Sequence, residues 1–174
     1  MKVFLLPLAI FLVFVFQSVL TEVIPQTFLE SYLYIPHWTL VFSIIIMTFY
    51  DREHSYVGLI NGLAFAFLTD LAYTSILGVY LLAYGLALYL IHLLKRVLHK
   101  NIFVVLLFVL LGVSLADIVL YGVYFLVGQI SLGFQNYLMI RLVPTLVVNV
   151  IGLFMLYPWL KPILTKWKYE LENK

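Results

Sequence analysis

Residues 102–127 read IFVVLLFVLLGVSLADIVLYGVYFLV, with Asp117 as the single charged residue. As a helix rising 1.5 Å per residue the stretch is about 39 Å long. That exceeds the roughly 30 Å hydrocarbon core of a bilayer, so the helix can span it with some tilt. The whole chain shares this character: 65% of its 174 residues are hydrophobic, 10% are charged, and the mean hydropathy is +1.12. Soluble domains average roughly 25% charged and 45–50% apolar residues, so a soluble fold would have too little polar surface to cover itself. Lipid is the expected solvent.

Outward from this stretch, five more apolar segments are separated by turn-formers and charges. The expected spans are 3–20, 36–50, 56–69, 76–94, 102–127 and 136–160, followed by a basic tail, 161–174. They use nearly the whole length, so a single all-α polytopic membrane domain of about six helices is expected. Met1-Lys2 followed by Val3 to Leu20 has the look of a signal peptide, but no small-x-small cleavage site follows, and an uncleaved first helix is the reading. The longest connection, Thr21 to about Pro36, is too short to fold alone.

The basic residues set the orientation. Lys2, Arg52, Lys95, Arg96, Lys100, Lys161, Lys166, Lys168 and Lys174 lie at the chain ends or after spans two and four, and the connections after spans one, three and five hold none. A random split this one-sided occurs on the order of once in a few hundred trials, and the positive-inside rule then puts both termini in the cytoplasm. The tail mixes lysines with Trp159 and Trp167 and should lie on an anionic inner leaflet.

Few side chains offer chemistry. The chain has no cysteine, which excludes disulfides and thiolate sites. It has no His-Glu-x-x-His, Gly-x-Ser-x-Gly or phosphate-binding Gly-x-x-x-x-Gly-Lys-Ser/Thr motif, so no enzyme is expected. Nor does it point to a cofactor, a metal site or a nucleic-acid partner. His92 and His99 are seven apart without a carboxylate pattern, and His37 and His54 read as interface or loop residues. An aspartyl signal peptidase of similar length does not fit, because neither Asp70 nor Asp117 has that family's Asn/Arg/Gly-rich surroundings.

Asp70, Asp117 and Arg141 lie where lipid would penalise a charge. Counted along spans five and six, Asp117 and Arg141 fall in the outer half at depths within about 10 Å of each other. They form an ion pair between the two helices, or each snorkels or is hydrated separately, or Asp117 serves a substrate or a proton. Asp70, at the outer mouth of span three, either accepts hydrogen bonds from the freed backbone N–H groups of the turn before span four or binds a ligand. Thr74 and Ser75 are the N-cap candidates for that span. Gly58-x-x-x-Gly62 lies on one face of span three, and Gly78 and Gly85 share a face of span four, as small residues do where helices approach closely. Pro144 frees a backbone carbonyl in span six, and Asn149 is a hydrogen-bonding group at membrane depth.

At these residues the chain resembles the MreD family of rod shape-determining proteins. The resemblance is carried by Gly58-x-x-x-Gly62 leading to Phe67-Leu68-Thr69-Asp70, by Tyr73-Thr74-Ser75-Ile76-Leu77-Gly78-Val79-Tyr80, and by Val97-Leu98-His99-x-Asn101-x-Phe103-Val104-Val105. Asp117 and Arg141-x-x-Pro144-Thr145-x-x-x-Asn149 extend it over nearly the full length. Thr69 and Ile140 depart from the family's pattern of an aromatic before the aspartate and an acidic residue before the arginine. The resemblance implies a non-enzymatic, multi-pass scaffold in the bacterial cell membrane. Its implied partners are MreC and, directly or through it, MreB filaments, RodA and a penicillin-binding transpeptidase. It also implies a helical arrangement similar to the substrate-binding subunits of energy-coupling-factor vitamin transporters, which supplies the alternative of a vitamin-binding subunit. The Ala-x-x-x-Ala docking pattern of those subunits is missing from the first helix, where Ala9 stands alone.

Overall fold

The computed structural model describes residues 2–23, 33–52, 55–98 and 101–173, and among them it contains helices and no strand. The elements are α1 (Lys2–Val23), α2 (Trp38–Phe49), α3 (Val57–Tyr73), α4 (Val79–Leu94), α5 (Ile102–Leu126), α6 (Phe134–Tyr137) and α7 (Val143–Glu172). A π-helical turn, Leu138–Leu142, joins α6 to α7, so that these form one continuous rod.

The sequence of α2, WTLVFSIIIMTF, has no polar face, and every one of its residues is buried. A helix apolar on all sides belongs in the middle of a structure. Accordingly α1, α3, α4, α5 and α7 all pack against α2, and contacts around it run α1–α3–α4–α5–α7. Its internal hydroxyls are satisfied within the helix: Ser43 Oγ donates to the Thr39 carbonyl and Thr48 Oγ1 to that of Ile44, each at 2.8 Å. The outer helices show the reverse of a soluble surface, with Leu8, Leu12, Leu71, Tyr89, Val147, Ile151, Phe154 and Met155 exposed.

Two glycines expected to permit close packing do so. A Cβ on Gly58 would lie 2.5 Å from Met47 Cγ and 2.8 Å from the Met47 backbone nitrogen, so α3 and α2 meet backbone to backbone there. One turn on, a Cβ on Gly62 would collide with the Leu88 side chain and sit 3.0 Å from Ser43 Oγ. The pair is spent on internal packing and is not an outward face.

The expected segments correspond to the helices, but several ends differ. The 36–50 segment forms a helix over only 12 residues, about 18 Å, because 33–37 is non-helical. The third helix continues beyond Thr69 to Tyr73, which places Asp70 inside a helix and not at its mouth. The tail is no separate segment either: α7 runs on through Pro158 and Pro162 to Glu172, with Leu164 buried and Lys161 Nζ over the rings of Tyr157 and Phe49, 5.3 and 5.8 Å from their centroids. Two helices, Ile102–Leu126 and Phe134–Leu171, are by themselves long and apolar enough to cross a membrane, and the other apolar helices are shorter.

Candidate functional site

The polar residues of the last helix recur every fourth position: Tyr137, Arg141, Thr145 and Asn149. On a helix that spacing forms a single stripe. The stripe faces the non-helical segment 33–37 and the middle of α5. A non-helical segment inside an apolar bundle must have its backbone groups satisfied by protein, and the stripe supplies the partners. Ile35 N donates to Thr145 Oγ1 at 3.1 Å and His37 N to Asn149 Oδ1 at 2.7 Å. Asn149 Nδ2 donates in turn to the carbonyls of Ile35, at 2.9 Å, and Thr145, at 2.7 Å. Leu33 N donates to the carbonyl of Ile140 at 2.9 Å. That carbonyl is free because its helical partner four residues on is Pro144, which has no N–H. The π-helical turn just before it bonds Val143 N to the Leu138 carbonyl. Pro144 and Asn149 thus have defined tasks, both in tying 33–37 to the last helix.

Asp117 stands at the other side of the stripe, fully buried. Its Oδ1 accepts from Arg141 Nε at 3.2 Å and Nη2 at 3.1 Å, and its Oδ2 from the Tyr137 hydroxyl at 2.7 Å. Of the two arrangements open to Asp117 and Arg141, the structure has the ion pair, with the arginine side chain 12% exposed. Tyr137 is set in place by stacking on Tyr121, with ring centroids 4.0 Å apart. His37 Nε2 lies 3.9 Å from Asp117 Oδ1, beyond hydrogen-bond reach, and has no hydrogen-bond partner among the described residues. His37 Nδ1 is 3.0 Å from the Tyr84 hydroxyl, and the tautomer decides which of them donates. One polar cluster therefore joins α4, α5, the π-helical turn, α7 and the 33–37 segment.

Two further aspartates cap helices across turns, one at each end of α3. Asp70 Oδ1 accepts from Tyr80 N at 2.9 Å and Oδ2 from Leu81 N at 3.0 Å, which satisfies first-turn donors of α4. Thr74 and Ser75 do not cap that helix. Its N-cap is Gly78, with φ +93°, and a Cβ there would meet nothing within 4 Å among the described residues. Gly78 is therefore required for a left-handed backbone and not, as its spacing suggested, for close approach of α3 and α4. At the opposite end Asp51 accepts from Gly58 N, 3.2 Å to Oδ2, and from Ser55 Oγ at 2.9 Å, with Lys95 Nζ at 3.8 Å. Burial pushes the Asp51 carboxyl above its ordinary value, opposed by Ser55 and Lys95.

His37, expected at an interface or in a loop, does end the non-helical segment 33–37, but it is wholly buried in the polar cluster. The signal that would have found it is the four-residue stripe, whose several donors and acceptors require polar partners from another segment. His92 stacks on Tyr56 at 4.9 Å with its Nε2 3.1 Å from Arg96 Nη2, while His54 and His99 lie outside the described residues. Among the described residues no group of three His, Asp or Glu converges to hold a metal ion. Chemically, the cluster can hold helices together. Its carboxylate already accepts from three donor atoms.

Comparison with known proteins agrees in direction. The family described as "rod shape-determining protein MreD" matches residues 2–167. The protein of that name from Bacillus subtilis (strain 168) is 30% identical over 175 residues, covering 100% of both chains. No solved structure matches, so the expected likeness to energy-coupling-factor subunits finds no support.

Proposed function

The chain belongs to the MreD family of rod shape-determining proteins, and on that premise we propose that it is a non-enzymatic membrane scaffold of the cell-elongation machinery. The family match gives it a role in rod shape determination. The observation that favours a scaffold is the hold on Asp117: three donor atoms bind its carboxylate, from the same rod whose stripe ties down 33–37. A group so held stabilises one arrangement of helices. The outer helix faces that result are the surfaces on which MreC docks and, through it, RodA, the transpeptidase and MreB filaments.

In this reading the chain crosses the cell membrane six times with both termini inside. The basic-residue split supports it, as do the exposed apolar side chains of the outer helices. The short α2 fits as well, since it is shielded from lipid by its neighbours and is continued by the tied-down 33–37 segment. The polar cluster then lies in the outer half and Asp51–Lys95 at the inner face. Lys161, Lys166 and Lys168 face anionic lipid, at about 1 kcal/mol for each lysine near the surface. Single cysteines at Gln26, Ser55, Gln129 and Asn173 of this cysteine-free chain should label from outside at Gln26 and Gln129 alone. External labelling at Ser55 would sink the topology.

The functional test is depletion in the native bacterium. Rods should widen and round up, with MreC no longer co-purifying with the wall synthases. Unchanged shape together with lost uptake of a vitamin would favour the transporter alternative instead.

A further inference from the structure

A pocket of about 210 Å³ lies among α1, α3, α4 and the 33–37 segment, beside the polar cluster, with which it shares Tyr84 and that segment. Gln17, Thr69 and Tyr84 in its lining are buried, while Thr21 and Tyr73 are exposed, so it deepens from a mouth to a floor. We propose that this pocket binds one neutral sugar ring, recognised by tyrosine faces and by a lining of neutral hydrogen-bonding groups.

Among the described residues the lining carries four tyrosines, Tyr34, Tyr73, Tyr80 and Tyr84, and no charged side chain. A charged ligand would give up its hydration with no counter-charge in the wall. The hydroxyls are directional. Ser18, Thr21 and Thr69 donate to the helix carbonyls of Phe14, Gln17 and Phe65, each at 2.8 Å. Their protons are committed, so these oxygens can only accept, and the ligand must donate. Against them, the buried Tyr34 hydroxyl finds no partner among the described residues, and an unpaired buried hydroxyl is costly enough to call for one. The Gln17 side chain is fixed by its carbonyl, which accepts from Thr39 N at 3.2 Å. Groups that both donate and accept, arrayed around a ring that can lie against aromatic faces, are those of a saccharide. An anion would offer acceptors alone, and a quaternary ammonium would offer no hydrogen bonds. The volume is below the roughly 300–1,000 Å³ of drug-sized sites, which suits one ring and not a chain of them.

The full-length protein in lipid nanodiscs, prepared without glycoside detergent, can be titrated with methyl glucoside and N-acetylglucosamine by saturation-transfer NMR. Glucuronate and glucosamine serve as anionic and cationic analogues of the same size. Both neutral sugars should bind, with the charged analogues weaker by about tenfold or more. Tyr34→Phe, which keeps the ring and the fold, should weaken binding by a similar factor, and Ser18→Trp, which fills the mouth, should abolish it. If octyl glucoside binds far better than methyl glucoside, the sugar belongs to a glycolipid; equal binding assigns a free saccharide. No binding of neutral sugars at tens of millimolar would overturn the proposal. So would charged analogues binding as well as neutral ones, binding indifferent to both substitutions in variants with wild-type melting, or preference for a neutral capped amino acid such as N-acetylalanine methylamide.

Discussion

Asp117→Asn should destabilise the folded protein by about 3–5 kcal/mol, the usual consequence of leaving one partner of a buried pair without the other. The guanidinium of Arg141 would stay nearly buried, at 12% side-chain exposure, without its counter-charge. The new amide would also offer Arg141 and the Tyr137 hydroxyl a single acceptor in place of two. Arg141→Gln should cost nearly as much, since the carboxylate would then keep Tyr137 as its one hydrogen-bond donor. The neutral double variant Asp117→Asn with Arg141→Gln should recover much of the loss, because neither charge is then stranded. The exchange Asp117→Arg with Arg141→Asp should recover less, for it aims a guanidinium at Tyr137 and at His37, whose Nε2 is 3.9 Å from the present carboxylate. Unfolding curves of the four variants in one detergent decide the matter. Double variants no more stable than the sum of the singles would show that the pair is not coupled.

Asn149→Leu should be the next most damaging substitution, although the side chains are similar in size. It removes an acceptor from His37 N and a donor from the Ile35 and Thr145 carbonyls. Each buried backbone group so orphaned costs about 1–3 kcal/mol. The Thr145 carbonyl still has its helical partner, so the loss falls on the 33–37 segment. Hydrogen exchange should show the amides of Ile35 and His37 losing protection while those in the middle of α5 keep theirs. Uniform loss along the chain would mean that Asn149 supports the bundle as a whole and not this segment.

These two sites mark how far the sequence could be read. Lipid as solvent imposes long apolar runs, and each run did become a helix, because in such runs composition alone decides the local structure. Helix ends were less legible. Val57–Tyr73 continues past Asp70 because the aspartate serves the next helix from within its own, a task that linear order does not show. Spacing alone puts Gly78 on a packing face, while its positive φ depends on how the turn from Thr74 to Gly78 closes. Depth counting brought Asp117 and Arg141 to one level because rise per residue is fixed. It could not place His37, which reaches the same level through a non-helical segment with no fixed rise. The tyrosine-lined pocket draws on residues from Gln17 to Tyr84 and exists only after α1, α3 and α4 have packed.

The scaffold reading is tested most directly by capturing the protein from its native membranes in mild detergent and identifying by mass spectrometry what comes with it. The account predicts MreC together with RodA or a penicillin-binding transpeptidase, in amounts that fall when Asp117→Asn disrupts the cluster. Recovery of transporter ATPase subunits with none of these proteins would contradict it.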